Sequence, residues 1–296
     1  MKILSLPLGA DTGGVSAAIG RAFRGVSGWQ FRAMIASRNY IDYPVDLAWS
    51  RQAVEEWWTW ADLIHLHHNL SHFRRLKHFP RRPLVLQFHG TGFREKPRPH
   101  LAAMRRHKAL GLVSTLDLWL LSPRDLEWLP CPVKIEPRRR ETEMVRIAHA
   151  PTDRGIKSTE AFLAATDQLK AEGHPIEVDL IERVTWAECL QRKAKADVYF
   201  DQVKLGYGNN AIEAWGMGIP VIAGAQPATL EEMERRFGDL PFYNADESTI
   251  YAALKAMLDP SIRDEYAQRG LQHVRRFHDE RVVVEQLKDI YRRAAA

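Results

Sequence analysis

The sequence predicts an α/β protein built as two consecutive doubly wound domains that face each other across a cleft. Three observations carry this expectation. Short apolar runs of strand length alternate with stretches of helical period along the 296 residues, the pattern of parallel sheets covered by helices on both faces. The proline-rich, charged stretch "LPCPVKIEPRRRETE" (129–143) interrupts the alternation, after which the theme restarts, as expected of an interdomain linker. The length is enough for two domains that each bury a core.

The elements follow in order. "KILSLPL" (2–8) reads as the first strand, closed by the corner "GADTGG" and followed by a helical "VSAAIGRAFRG". "FRAMIAS" (31–37) is the second strand, and "VDLAWSRQAVEEWWTWA" (45–61) has helical period. "DLIHLHH" (62–68), "PLVLQFHG" (83–90) and "ALGLVST" (109–115) are strands. Beyond the linker come the strand "MVRIAHA" (144–150), a helix over 158–173, the strand "IEVDLIE" (176–182), a helix over 185–196 and the strand "DVYFDQ" (197–202). In "LGYGNNAIEAWGMGIPVIAG" (205–224), Asn209 or Asn210 is a good cap for a short helix that Gly218 and Pro220 end, and "PVIA" is a buried strand. Two helical segments bent near His278 close the chain.

Charge narrows the partners. Residues 1–137 hold 19 Lys+Arg against 11 Asp+Glu, and residues 138–296 hold 23 against 26, so the first half carries +8 and the second −3. The positive excess gathers in "HFRRLKHFPRRP" (72–83), in "MRRHK" (104–108) and at Arg94, Lys96 and Arg98. This field favours an acidic partner, such as DNA, an anionic membrane surface or a phosphorylated acceptor, over a merely solvated face. Arg74, Arg75, Arg81, Arg82 and Arg94 are the acceptor-binding candidates. No apolar run approaches the ~20 residues of a membrane span. The start is too short for a signal peptide, and two distant cysteines without a CxxC argue against a disulfide framework. A cytoplasmic protein, at most peripheral to a membrane, is the expectation.

Several motifs carry chemistry. Gly13 and Gly14 bring bare amides to the start of the first helix, where nucleotide folds place phosphates, although such a corner is often only a turn. Neither GxGxxG nor a P-loop is present. His89 ends a strand, where an imidazole can bond a substrate hydroxyl, stabilise developing charge or simply cap. "HLHHNLSH" invites a metal reading, but its histidines alternate along a strand without a carboxylate or cysteine at ligand spacing, so no metal is expected. In "APTDRGIKSTEAF" (150–162), Arg154 and Lys157 stand at a helix entrance capped at or near Ser158, which suits a diphosphate. Gly208, Asn209 and Asn210 open another helix as an anion cradle, while Glu213 is a ligand-binding carboxylate or completes a capping box with Asn210.

These segments together resemble the retaining GT-B glycosyltransferases that use nucleotide sugars, most specifically between about 147 and 224. The resemblance implies two Rossmann-like domains, 1–137 binding the acceptor and 138–278 the donor, with a C-terminal helix at about 279–296 crossing back to the first. It implies no metal and no cofactor, the NDP-sugar being a substrate. Glu213 matches the second glutamate of an E-x7-E motif that holds the donor ribose, and Lys157 the lysine that neutralises the diphosphate, with Arg154 a looser match. Gly14 matches a glycine facing the donor phosphates, and His89 a histidine near the transferred sugar. The first glutamate falls on Leu205, a departure that puts sugar recognition in question.

The resemblance implies transfer of a hexosyl group from an NDP-sugar with retention, and the basic first half points to an acidic acceptor, such as a modified DNA base, as in phage-type DNA glucosylation, or a lipid at an anionic membrane. A nucleotide-sugar epimerase or phosphorylase on the same scaffold, or a non-catalytic nucleotide-sugar binding protein, are the alternatives.

Overall fold

Strand β1 (Lys2–Pro7) pairs in parallel with β2 (Gln30–Ile35) on one side and β4 (Leu63–His67) on the other. In the computed structural model, which describes residues 1–7, 13–35, 40–67, 78–138 and 144–296, this pairing is the centre of the first of two units. That unit comprises Met1–Pro132 together with Glu280–Ala296, and the second is Val133–Asp279. The division falls five residues ahead of the 137/138 boundary drawn from the linker, whose residues 139–143 lie outside the described chain.

The first sheet runs β3 (Leu47–Ala48), β2, β1, β4, β5 (Leu84–Phe88), β6 (Leu110–Val113), β7 (Leu126–Trp128), with every pairing parallel. Helices α1 (Val15–Ala22), α2 (Arg51–Trp60), α3 (Gly90–Glu95), α4 (Pro97–Arg106) and α5 (Leu116–Trp119) connect the strands. β4 is buried at all five positions, as a central strand covered on both faces must be. Leu4, Leu6, Ile64, Leu66, Leu86 and Phe88 meet Val54, Trp58, Leu101 and Met104 of the helices in one apolar core. Chain order reverses between β1 and β4, the switch point where doubly wound sheets bind ligands.

One predicted helix is shorter than its period suggested. Ser50 is extended and its hydroxyl accepts the amide of Ala53, so α2 begins at Arg51, while Leu47–Ala48 pair with β2 instead.

The second unit has β11 (Leu205–Gly206), β12 (Val221–Ala225), β10 (Val198–Phe200), β8 (Val145–His149) and β9 (Ile176–Leu180) in that order, with β13 (Tyr243–Asn244) beside β12. Only the β11–β12 pairing is antiparallel among those described. Its helices are α6 (Thr159–Ala171), α7 (Trp186–Lys193), α8 (Asn209–Gly216), α9 (Pro227–Phe237), α10 (Ile250–Ala256) and α11 (Pro260–His273). Gly218, at a φ of 77°, turns the chain out of α8 in the left-handed region and into β12. Here too the order reverses beside the first strand, between β8 and β10.

A π-helical segment, Val274–His278, ends this unit at the bend expected near His278. The last helix, α12 (Glu280–Ala295), belongs to the first unit. There Glu280 pairs with Arg21 at 2.6 Å, Gln286 donates to the carbonyl of Trp128 at 2.9 Å, and the hydroxyl of Tyr291 lies 2.9 Å from His65 Nδ1. Among the described residues no helix is long and apolar enough to cross a membrane.

Candidate functional site

The switch point of the second unit gathers the residues that the sequence singled out for an anion. Lys157 follows β8, and its ammonium donates to Asp201 Oδ1 at 2.5 Å. Asp201 follows β10, is fully buried, and takes the backbone N–H of Gly208 on its other oxygen at 2.8 Å. One carboxylate therefore fixes both a cation and the residue that caps α8. A Cβ at Gly208 would stand 3.6 Å from both Asp201 Oδ2 and Lys157 Nζ, so this corner admits close approach to the backbone. The α8 amides that open behind it carry the partial positive charge of a helix start.

The cap of α8 corrects the sequence reading. Gly208 occupies the N-cap position, not Asn209 or Asn210, and no side chain caps the helix. Asn210 instead donates to the carbonyl of Ala150 at 3.1 Å and accepts from Lys193 Nζ at 2.8 Å, tying the helix start to the end of β8. Glu213 lies beyond the first turn and forms no capping box. Its Oε1 accepts from the Trp186 indole N–H at 2.7 Å and its Oε2 from Lys193 Nζ at 2.6 Å. Trp186 and Lys193 are the first and last residues of α7, two turns apart on one face, so a single helix grips the carboxylate from both sides.

Lys193 is fully buried. Burial works to lower its pKa, but the Glu213 carboxylate, with help from Cys189 and Asp201, outweighs it, and the ammonium is held above its ordinary value. The Tyr199 ring lies 5.0 Å from the same ammonium.

Arg154 is less available than Lys157. Its guanidinium is bidentate to Glu182 at 2.9 and 2.7 Å and reaches Glu160 at 3.0 Å, and these bonds raise its pKa. Ser158 caps α6 only by position: its φ is 51° and its hydroxyl donates to Glu247 rather than to a helix amide. The opening of α6 is fixed by Thr159, whose hydroxyl meets His149 Nε2 at 2.8 Å. His149 Nδ1 faces the carbonyl of Phe200 at 2.9 Å and must donate to it, so Nε2 accepts from Thr159 and the ring is neutral. Burial lowers the His149 pKa to about 4.

Leu205, where the resemblance expects a glutamate, opens β11, whose entry is pinned by Gln202. The Gln202 amide oxygen accepts from the backbone of Lys204 at 2.6 Å and of Leu205 at 2.8 Å, and its nitrogen donates to the carbonyl of Gly206.

In the first unit the switch point lies between Gly13–Gly14 after β1 and His67 at the end of β4. Both glycines have positive φ, 82° and 68°, and Gly14 caps α1. Gly9–Thr12 lie outside the described residues. His89, at the end of β5, is half-buried, and its Nε2 lies 3.0 Å from His67 Nδ1. Of the histidines in 65–72, His68 and His72 lie outside the described residues; His65 Nδ1 meets the Tyr291 hydroxyl, His67 Nε2 lies 2.9 Å from Ser5 Oγ, and the His65 and His67 rings stack at 4.5 Å.

The basic candidates divide. Arg74 and Arg75 lie outside the described residues. Arg81 is exposed, and Arg82 donates to the carbonyl of Thr59 at 3.0 Å. Arg94 is committed to Asp117, with Nη2 and Nε at 2.6 and 2.9 Å from Oδ2. Sequence reasoning missed Asp201, Lys193, Trp186 and Gln202, because their roles arise from strands and helices brought together only by the fold.

No protein-family model matches the sequence, and no curated protein matches it. Solved structures do match. HepE of Anabaena, in complex with UDP and glucose, has a TM-score of 0.68 at 12% identity, with 98% of each chain covered. Sucrose-phosphate synthase of Thermosynechococcus elongatus has a TM-score of 0.67 at 13% identity over 99% of each chain. A glycosyltransferase of Rickettsia africae has 0.68 at 11% identity, over 99% of this chain and 98% of its own. With two Rossmann-like units, each built around a switch point, the chain has the fold of the GT-B glycosyltransferases.

Proposed function

We propose that this protein is a retaining glycosyltransferase that moves a hexosyl group from a nucleoside-diphosphate sugar to an acidic acceptor. The observation that carries the reading is the clasp of Lys157 and the Gly208 amide on the buried Asp201, at the start of α8, with Glu213 held one turn further along. A cation beside open helix amides suits a diphosphate, and a carboxylate set deeper along the same helix suits the vicinal hydroxyls of a ribose. HepE binds UDP, and UDP-glucose in a further structure, which supports a UDP-sugar as the first donor to try.

In this mechanism Lys157 and the α8 amides stabilise charge that grows on the leaving diphosphate as the anomeric bond breaks. Such preorganised electrostatics commonly contribute several kcal/mol (about 3–4 per well-placed donor). The departing phosphate oxygen takes the proton of the acceptor hydroxyl on the same face, so the configuration is retained and no separate protein base is needed. No metal and no cofactor enter the proposal. The resemblance gives His89 the role of a histidine that contacts the transferred sugar. On the acceptor side, Arg81, Arg82 and Arg94 of the basic first unit are the described candidates.

The test has two arms. Thermal-shift titration with UDP-, GDP-, ADP- and dTDP-sugars selects the donor, since a ligand that binds the folded state raises the unfolding temperature. Turnover of the selected donor with glucosylatable DNA or with anionic lipid vesicles, read by mass spectrometry and anomeric NMR, then gives the product. No stabilisation by any nucleotide sugar would end the proposal. A stabilised protein without transfer or hydrolysis would favour the non-catalytic binding protein, the reading that Leu205 keeps alive.

A further inference from the structure

The Glu213 carboxylate is held by two groups that can only donate. Its Oε1 takes the Trp186 indole N–H at 2.7 Å and its Oε2 the Lys193 ammonium at 2.6 Å. Both donors belong to α7, and the carboxylate between them belongs to α8. The ammonium has three N–H groups and meets three acceptors: Glu213 Oε2, Asn210 Oδ1 at 2.8 Å and the Asn210 carbonyl at 3.3 Å. Its side chain has no exposed surface, whereas Glu213 keeps 16% of its own. Burial opposes the charge of Lys193, and the carboxylate outweighs burial. This clasp therefore turns the carboxylate, and not the cation, toward solvent.

An ionised carboxylate has about four lone-pair positions, two on each oxygen. One bond to each oxygen leaves room on both for a further donor. A ligand there must bring hydroxyl or amino hydrogens, because a phosphate or carbonyl oxygen would meet lone pairs. Two hydroxyls on adjacent carbons match the two adjacent oxygens. The terminal torsion of a glutamate is broad, so without its two clamps the group would not keep both oxygens toward one ligand. Along α8 the anion corner at Gly208 comes first and the carboxylate second, the order of the 5′-diphosphate and the 2′- and 3′-hydroxyls in a ribonucleotide.

We infer that Lys193 and Trp186 are positioning residues that fix Glu213 for two vicinal hydroxyls, so that this protein selects a donor built on a ribonucleotide over one built on a 2′-deoxyribonucleotide. They act through Glu213. The inference rests on the nucleotide-sugar reading above and divides its donors, admitting UDP-, GDP- and ADP-sugars and disfavouring dTDP-sugars.

Calorimetric titration with inorganic pyrophosphate, with UDP, GDP and ADP, and with their 2′-deoxy forms tests it. The ribonucleotide is expected to bind the wild type about 10- to 100-fold more tightly than its 2′-deoxy form, as loss of a hydrogen bond to a charged group implies. In Trp186→Phe and in Lys193→Met that ratio is expected to fall below about threefold, with the affinity for pyrophosphate within about twofold of the wild type. A general defect of the fold would instead weaken pyrophosphate as well, and Trp186→Phe, which keeps a ring in place, carries the test should Lys193→Met not fold. Glu213→Leu should lose the ratio too, and adding Trp186→Phe to it should change the ratio no further. Equal wild-type affinities for a ribonucleotide and its deoxy form, dTDP-sugars as the best stabilisers in the thermal-shift screen, or an unchanged ratio in Trp186→Phe overturn the inference and leave the glycosyltransferase reading standing. A further change in the double variant would mean that Trp186 touches the nucleoside itself, which overturns its positioning role. No binding of any of these nucleotides would end both readings.

Discussion

Lys193 Nζ and Glu213 Oε2 stand 2.6 Å apart, with the lysine fully buried and the glutamate side chain 16% exposed. Removing one partner strands the other. Lys193→Met is therefore expected to cost about 3–5 kcal/mol and to lower the unfolding temperature by on the order of 10 °C. The double variant Lys193→Met/Glu213→Leu should recover much of that loss, because no charge is left uncompensated. Calorimetry of the two single variants and the double variant checks both statements; a Lys193→Met protein as stable as the wild type would show the pair to be energetically idle.

Lys157 and Arg154 should part company in a binding experiment. Lys157 has one described carboxylate partner, while Arg154 is engaged by two carboxylates. Lys157→Ala is expected to weaken UDP binding roughly 10- to 100-fold, as loss of a charged hydrogen bond implies, and Arg154→Ala by about threefold or less. Calorimetric titration with UDP distinguishes the two. Equal losses would mean that a diphosphate draws Arg154 away from Glu182 and Glu160.

The buried neutral His149 sets a pH dependence. Its folded pKa, about 4, lies below the ordinary 6.5. Between those values the unfolded chain binds a proton that the folded chain does not, so stability is whole above 6.5 and falls as pH drops toward 4. The slope for one such histidine reaches about 1.4 kcal/mol per pH unit. His149→Gln should show a shallower loss than the wild type in urea unfolding at pH 6.5, 5.5 and 5.0, a window above most carboxylate titration. Parallel losses would place the titration elsewhere.

Gly14 tolerates no side chain. Its φ is 68°, and an added Cβ would run into the ring of Tyr43. Gly14→Ala should cost about 1–2 kcal/mol from the left-handed backbone alone, with a further penalty from the clash. The variant Gly14→Ala/Tyr43→Ala removes the clash and should recover that further part only, as thermal unfolding will register.

Much of this was legible in the sequence. The strands that became β1, β4, β5 and β8 announce themselves as apolar runs, because a central parallel strand has no solvent face to encode. The two-residue β3 and β11 have no periodicity to read, and neither the six-residue, glycine-bearing α3 nor the proline-bearing, basic α4 has an apolar pattern that marks it as a helix. At the candidate site, Lys157 and Gly208 stand out from local spacing, whereas Glu213 is left open by spacing and is assigned only by the resemblance. The partners of Glu213 do not stand out, since Lys193 sits in "QRKAKA", which reads as a solvated helix face until α7 packs on α8. The expected capping box failed for a related reason: Asn210 and Glu213 have the spacing, but the helix begins one residue before Asn210, and the carboxylate falls outside the first turn.

Gln202 leaves the segment that follows it little freedom, for its amide spans three successive backbone positions while β11 pairs with β12. A glutamate engineered in place of Leu205 would be carried by a scaffold already set, without a folding penalty to be overcome first. The chain thereby offers a single-codon route for asking what an acidic group at that point adds to sugar selectivity.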